Sequence, residues 1–295
     1  MGEAQPKASR ADMEMGAERS EAVVRAPRIR AIGLRTGWGS GAEALPPARG
    51  LDARAAAGGR PVMSLGRPEL AGDRFRRATR ESLWALAAVG AMLEDGRADR
   101  AEIAGEGTAL LFATAAVYGA SNRAFIQGTG GGTHFAYTAP AVVSAEAAIE
   151  FGLRGPSVLF IGGPPATLRA IWYAATLLAG GSCRRALVLA VETFEECADL
   201  YARARRRTAP PLVEAAACLW LEPGDGRLEL RTARGRRADA ADTARRMRET
   251  LGEMMACAPL AEMARRRHEG HPDPLGLSGA WRGEGADLSI TKGGG

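Results

Sequence analysis

Lysine is nearly absent from this 295-residue chain. Lys7 and Lys292 are the only two, so 37 of its 39 basic residues are arginine. Arginine suits planar recognition of carboxylates and phosphates. Here it is scattered through an alanine-rich chain, which fits the codon bias of a GC-rich genome better than a built binding surface. Aromatic residues make up only 5%, whereas a nucleic-acid surface calls for clustered basic residues with stacking aromatics. Nucleic acid is therefore not an expected partner, despite a net charge of +5. Cys183, Cys197, Cys218 and Cys257 are widely spaced and form no CxxC pair, which excludes the usual zinc spacings. Cys218 lies in an apolar run and reads as a small core residue. No apolar run reaches bilayer length, and Met1 to Ala26 lacks the apolar core of a secretory leader. No membrane span is expected, and a reducing cytoplasm fits the cysteine usage.

The usual catalytic signatures are missing as well. No GxSxG elbow occurs, and no Ser-His-Asp or Cys-His set can be assembled. The glycine run 128–132 lacks the Lys-Ser/Thr of a phosphate loop and reads as a flexible turn. His134 reads as an isolated polar or core residue. His268 and His271, with Glu269 and Asp273, have the atoms for a metal site, but they fall in a loose segment and read as exposed side chains. Arg203, Arg205, Arg206 and Arg207 read as a solvated turn, with attraction of an acidic partner as the alternative. No metal, cofactor or catalytic residue is expected.

What the chain does contain is an alternation of apolar strands and helices, which predicts an α/β layered fold. Residues 1–27 read as a flexible leader. Strand character starts at Arg28, and 36–72 is irregular. A helix is expected from an Asp73 cap to Gly96. Strands follow at 108–113, 157–161, 186–191 and 213–221. The last pairs with 227–231 across the Pro-Gly-Asp-Gly run. The strands 157–161 and 186–191 are apolar throughout, so helices should cover both faces of a mixed sheet. Residues 232–295 read as one charged helix, 238–268, and a loose tail. Met247, Leu251, Met254, Met255, Ala258 and Leu260 give that helix an apolar stripe.

The most informative stretch is 153–181. A Gly-Pro entry leads into a strand, a Gly-Gly-Pro-Pro elbow and an apolar helix. Helix N-termini at such elbows lower thiol pKa values and stabilise oxyanions. Here the elbow holds Gly163, Pro164 and Pro165, and none of them is a nucleophile.

LRGPSV with the strand, elbow and helix that follow resembles the nucleophile region of β-ketoacyl synthases of the thiolase fold. RIRAIGLRTGWGSG, PAVVSAEAAIEFGL, CRRALVLAVET and VEAAACLWLE resemble further segments of that family, in the family's order, from Arg28 to about Arg231. The resemblance implies a thiolase-like layered fold with the N-terminal half only. Counted from Gly155-Pro156-Ser157-Val158, the family cysteine falls at Pro164, and the family's histidine motifs do not occur. It also implies that the strand Ser157, Val158, Leu159, Phe160 lies near a dimer seam. The function implied is that of a non-catalytic, chain-length-factor-type subunit, similar to those of aryl-polyene systems. It would pair as a heterodimer with an active β-ketoacyl synthase, and an acyl carrier protein is a second candidate partner. Helix 238–268 would either cover the face left by the missing half or pack on its own domain. Two alternatives stay open. One is an acyltransferase or thioesterase using Cys183, Ser144 or Ser157 as nucleophile. The other is a binding scaffold unrelated to acyl chemistry.

Overall fold

The computed structural model describes residues 19–47, 52–70, 72, 75, 78–116, 118–129, 132–204, 209–234, 238–271 and 275–291. In chain order the elements are β1 (Arg19–Thr36), β2 (Gly39–Ser40), α1 (Ala53–Ala57), β3 (Val62–Met63), α2 (Arg80–Gly96), α3 (Arg100–Ile103), β4 (Thr108–Thr114), α4 (Gly119–Ile126), α5 (Ala141–Phe151) and β5 (Ser157–Ile161). They continue with α6 (Pro164–Ala179), β6 (Arg185–Glu192), α7 (Ala198–Ala204), β7 (Leu212–Val213), β8 (Ala215–Arg234), α8 (Ala238–Leu251), α9 (Ala258–His268), β9 (Leu275–Trp281) and β10 (Glu284–Thr291). The main sheet runs β2-β1-β8-β6-β4-β5, with β10 and β9 continuing from β8. β4 is parallel to β5 and β6, while β8 is antiparallel to β1 and β6, so the sheet is mixed as expected.

Side-chain alternation along the central strands builds two cores. Ala109, Leu111 and Ala113 of β4, Ala186, Val188 and Ala190 of β6, and Ala217 and Leu219 of β8 face α6 and α9. Leu110 and Phe112, Leu187 and Leu189, and Cys218 and Trp220 face α2 and α5. Successive strand residues point to opposite faces, so a strand buried on both sides is apolar at every position. That is why these runs were legible, and Cys218 is a core residue as expected.

Several boundaries differ from the sequence expectations. The first strand begins at Arg19, inside the expected leader, because β8 continues to Arg234 and offers it partners as far as Arg19↔Ala233. The Pro-Gly-Asp-Gly run does not reverse the chain; it is a bulged stretch of the single strand β8, opposite register shifts in β1 at Ala26/Arg28. There Gly224 approaches the β1 backbone so closely that a Cβ would sit 2.6 Å from the Ala26 carbonyl oxygen, which only glycine permits. Helix α2 is capped by Thr79, whose side chain accepts from Ser82 N–H; Asp73 lies outside the described residues.

The segment after Arg231 is also more structured than expected. The single helix 238–268 is two helices, α8 and α9. Gly252 at φ 83° and Met255 at φ 46° break it in left-handed conformations that end an α-helix. The loose tail is instead the hairpin β9–β10, and β10 pairs with β8 from Glu284↔Arg234 to Thr291↔Arg227. Among the described residues no helix is long and apolar enough to cross a membrane, and no cluster suited to a metal ion occurs. His271 instead bonds Glu269 at 2.8 Å.

Candidate functional site: a strand-to-helix elbow

The elbow sits at the carboxyl ends of the parallel strands β4 and β5, where ligands bind in open α/β sheets. Its local geometry follows from small residues. A Cβ at Gly155 would lie 2.3 Å from the Thr108 carbonyl oxygen, so the Gly-Pro entry lets β5 dock against β4. At the other end, Gly162 at φ 150° turns the chain and its N–H donates to Thr114 O at 2.8 Å. Gly163 caps α6, and Pro164 and Pro165 occupy the first two helical positions. Proline suits those positions because its φ is already helical. It also removes two of the amide donors that would otherwise face an anion there. The elbow thus carries no nucleophilic side chain and lacks the amide donors of its first two helical positions.

The elbow is covered by the hairpin. A Cβ at Gly163 would meet the Trp281 ring at 2.6 Å, and a Cβ at Gly279 would meet the Pro164 Cβ at 2.6 Å. Beneath Pro164, a cavity of about 20 Å³ is lined by Met247, Leu251, Met254, Ala258, Ser278 and Ala280 among others. That is room for about one water molecule and too little for an acyl chain. The stripe residues Leu251, Met254, Met255, Ala258 and Leu260 thus pack on this chain's own core. On its other side the elbow borders a cleft of about 310 Å³, lined by Gly162, Gly163 and Pro165 with Tyr118, Arg169 and Trp281 among others.

The candidate alternative nucleophiles lie elsewhere. Cys183 and Ser157 precede or begin strands at the opposite, amino end of the sheet. Cys183 is buried, and burial pushes its thiol pKa up. Ser144 is buried in α5 and donates to the Ala141 carbonyl oxygen at 2.9 Å. Cys257 is nearer the elbow, but it is fully buried, held on the Ala215 carbonyl oxygen at 3.3 Å, and pushed well above the ordinary thiol range. Thiols in such settings are inert. Of His134 the structure describes the backbone alone; Arg205, Arg206, Arg207 and Asp273 lie outside the described residues, as do the glycines 130 and 131.

Two buried acidic residues tie together the loops at this end of the sheet, and sequence reasoning did not single them out. Glu214 is fully buried and accepts two bonds from Arg80 at 2.6 Å each, together with the N–H groups of Leu65, Phe194 and Glu195. Arg80 also reaches Glu196 and the Gly66 carbonyl oxygen. Burial alone raises a carboxyl pKa, but the Arg80 hydrogen bonds and charge outweigh it and hold Glu214 below the ordinary range. Glu192, the last residue of β6, is also fully buried, with no cation among its partners in the described residues. It accepts from Ala115 N–H at 2.5 Å, Ala116 N–H at 3.1 Å and Ala256 N–H at 3.3 Å. Burial dominates and pushes its carboxyl up to about 8, against the opposing pull of the three amides. The available signal was an acidic residue ending an all-apolar strand.

β5 is the sheet edge. Among the described residues it pairs with β4 alone, and Ser157 and Ile161 are exposed while Val158, Leu159 and Phe160 are partly covered. Phe160 stacks edge-on against Tyr173 of α6 at 6.1 Å. Large exposed apolar side chains gather on the elements that lead into or out of β4 and β5. Ile161 is 59% exposed, Ile149 of α5 67% and Ile126 of α4 81%. Phe125 of α4 packs against Phe135 in the 132–138 segment at 5.4 Å, and both are exposed.

With this geometry in place, the comparisons are consistent with one another. Residues 68–212 match the family model of the beta-ketoacyl synthase N-terminal domain. No curated protein matches the sequence at a significant level. Among solved structures, "The ishigamide ketosynthase/chain length factor" is similar over 92% of this chain and 99% of its own, with TM-score 0.69 and 16% identity. A type II polyketide ketosynthase in complex with its acyl-carrier protein, AntDE:AntF, is similar over 91% and 99%, with TM-score 0.70 and 14% identity. The ketosynthase ApeO in complex with its chain length factor ApeC, from Xenorhabdus doucetiae, covers 90% and 99%, with TM-score 0.58 and 16% identity. The chain therefore has the thiolase-like ketosynthase fold, with the signature of the family's N-terminal domain over residues 68–212. The fold similarity takes in more of the chain than residues 1–231 amount to, so it reaches into the segment that carries α8, α9 and the hairpin.

Proposed function

We propose that this protein is a non-catalytic ketosynthase-like subunit. It pairs with an active β-ketoacyl synthase in fatty-acid or polyketide-type biosynthesis. The observation that carries this reading is Pro164 at the first position of α6, followed by Pro165 and roofed by Trp281 and Gly279. Decarboxylative condensation requires a covalent acyl nucleophile and an oxyanion stabiliser, and the elbow carries no nucleophile and lacks the amide donors of its first two helical positions. The partner surface in this reading is the free edge of β5 with Ile126, Phe135, Ile149 and Ile161 around it. An unpaired strand edge and large exposed apolar side chains are both features that a partner removes from water. The structural neighbours that are complexes of a ketosynthase with a chain length factor or a carrier protein support the same kind of partner. Acyl transfer at a non-standard nucleophile draws no support from the burial of Cys183 and Ser144 or from the position of Ser157.

The test is co-expression with a ketosynthase encoded beside it, followed by size-exclusion chromatography. A stable 1:1 complex is expected, weakened at least tenfold by Ile161→Lys combined with Phe135→Asp, as for loss of central interface residues. A soluble, monodisperse monomer that never co-purifies with the ketosynthase removes the proposal. Wild-type protein incubated with an acyl thioester is expected to gain no mass; a stable acyl adduct would instead establish the enzyme reading.

A further inference from the structure

The tip of the hairpin β9–β10 borders the cleft beside the elbow. Trp281 and Glu284 pair across it, so Arg282 and Gly283 alone make the turn. Both have positive φ, 47° and 85°, as in the two-residue turn that matches strand twist. Asparagine or glycine is the usual residue at the first position, because the left-handed region penalises a Cβ. An arginine held there is an outlier of the kind that gathers at ligand clamps. The Arg282 guanidinium lies over the Trp281 ring, 5.5 Å from its centroid, and that ring is seated on Gly163. A guanidinium set over an indole keeps N–H donors at its edge for a planar anion. Arg282 makes no ion pair among the described residues. The other charged lining residues are Arg169 and Glu284, bonded to each other at 3.1 Å. The cleft therefore holds two cations, one carboxylate and one positive charge in excess.

We propose that this cleft binds a small amphipathic carboxylate, its charged end on Arg282 and its apolar body against Ile161, Pro165 and Ala166. The planar carboxylate matches the arginine fork. The single surplus charge suits a monoanion. A volume of about 310 Å³ holds about ten water-sized groups, which sets the body at about eight carbons. Pro164 and Pro165 withhold the amides that a helix start would offer an anion, so recognition of the charge falls to the side chain of Arg282. The ligand is a free acid held without any bond made or broken. This inference does not rest on pairing with a ketosynthase, because binding is read on this chain alone.

The experiment is calorimetric titration of the full-length protein with octanoate, and with 1-octanol as the neutral counterpart. Octanoate should bind saturably at one site, and 1-octanol at least tenfold more weakly, as for loss of a hydrogen bond to a charged group. Arg282→Asn should weaken octanoate at least tenfold while the thermal midpoint holds or rises, since asparagine suits the turn. Glu284→Gln should tighten octanoate severalfold, because it removes a like charge and frees Arg169. No saturable binding overturns the proposal. So do 1-octanol binding as tightly as octanoate, wild-type affinity in Arg282→Asn, and unchanged or weaker binding in Glu284→Gln. Should Arg282→Asn fail to fold, the 1-octanol and Glu284→Gln titrations decide.

Discussion

The Pro164 ring rests on the backbone of Gly279, so close that a Cβ at residue 279 would stand 2.6 Å from the Pro164 Cβ and 3.2 Å from the Pro165 nitrogen. Neither side can yield easily: one is a rigid pyrrolidine at a helix start, and the other is a strand paired to β10. Gly279→Val should therefore force β9 off α6. The expected loss is about 1–3 kcal/mol, the usual cost of overpacking a filled core, measured by urea denaturation. Unchanged stability would mean that the hairpin does not seat on the elbow.

Pro164→Cys places a thiol where the resemblance to β-ketoacyl synthases puts the family cysteine, and it tests whether the elbow can activate one. We expect no acyl adduct after incubation with an acyl thioester, read by intact mass. Pro165 still withholds an amide, Trp281 still covers Gly163, and the cavity below holds about one water. An adduct on the thiol introduced by Pro164→Cys would show that the elbow kept its chemistry in reserve and lost only a nucleophile.

Glu214 and Arg80 form the buried ion pair on which the segments after β3 and β6 converge. Glu214→Ala leaves the Arg80 charge without its most buried partner. We expect a loss of about 3–5 kcal/mol, the usual cost of breaking such a pair. The pH sign follows from the lowered carboxyl pKa of Glu214. The unfolded chain takes up its proton first as pH falls, so this stability is complete above the ordinary carboxyl value and is lost on acidification below it. Wild type should therefore unfold more readily below about pH 4.5, with a slope that Glu214→Ala reduces.

The parts of the fold visible in the sequence were those made by one strand or helix alone. β4 is apolar from Ala109 to Ala113 and β6 from Ala186 to Val191, Gly152 caps the end of α5, and the Gly-Gly-Pro-Pro elbow announces itself. The parts that stayed hidden depend on residues distant in sequence. Arg80 meets Glu214 across 134 positions. The sequence LGLSGAW has no strong strand pattern, and its glycines suggest a loose tail; Gly279 is glycine because Pro164 leaves no room for a side chain. The extra length of β1 was invisible because only β8 gives Arg19 to Ala26 a reason to extend. The elbow residues Gly163, Pro164 and Pro165 were legible, while their roof, Trp281, was not.

β8 is bordered along its distal half by β1, the first strand described, and by β10, the last. Closing the sheet there joins residues more than 250 positions apart, such as Glu21 and Asp287, both opposite Arg231. Contacts of such long range form slowly and late. During synthesis the edge of β8 that faces β10, and the side of α6 that meets the hairpin, stay uncovered until the hairpin has been made. A chain that stalls before Thr291 would expose them as sticky strand edges. In the cell, the vulnerable interval for this protein therefore lasts until residues 275–291 have been made, and chaperone cover matters most before then.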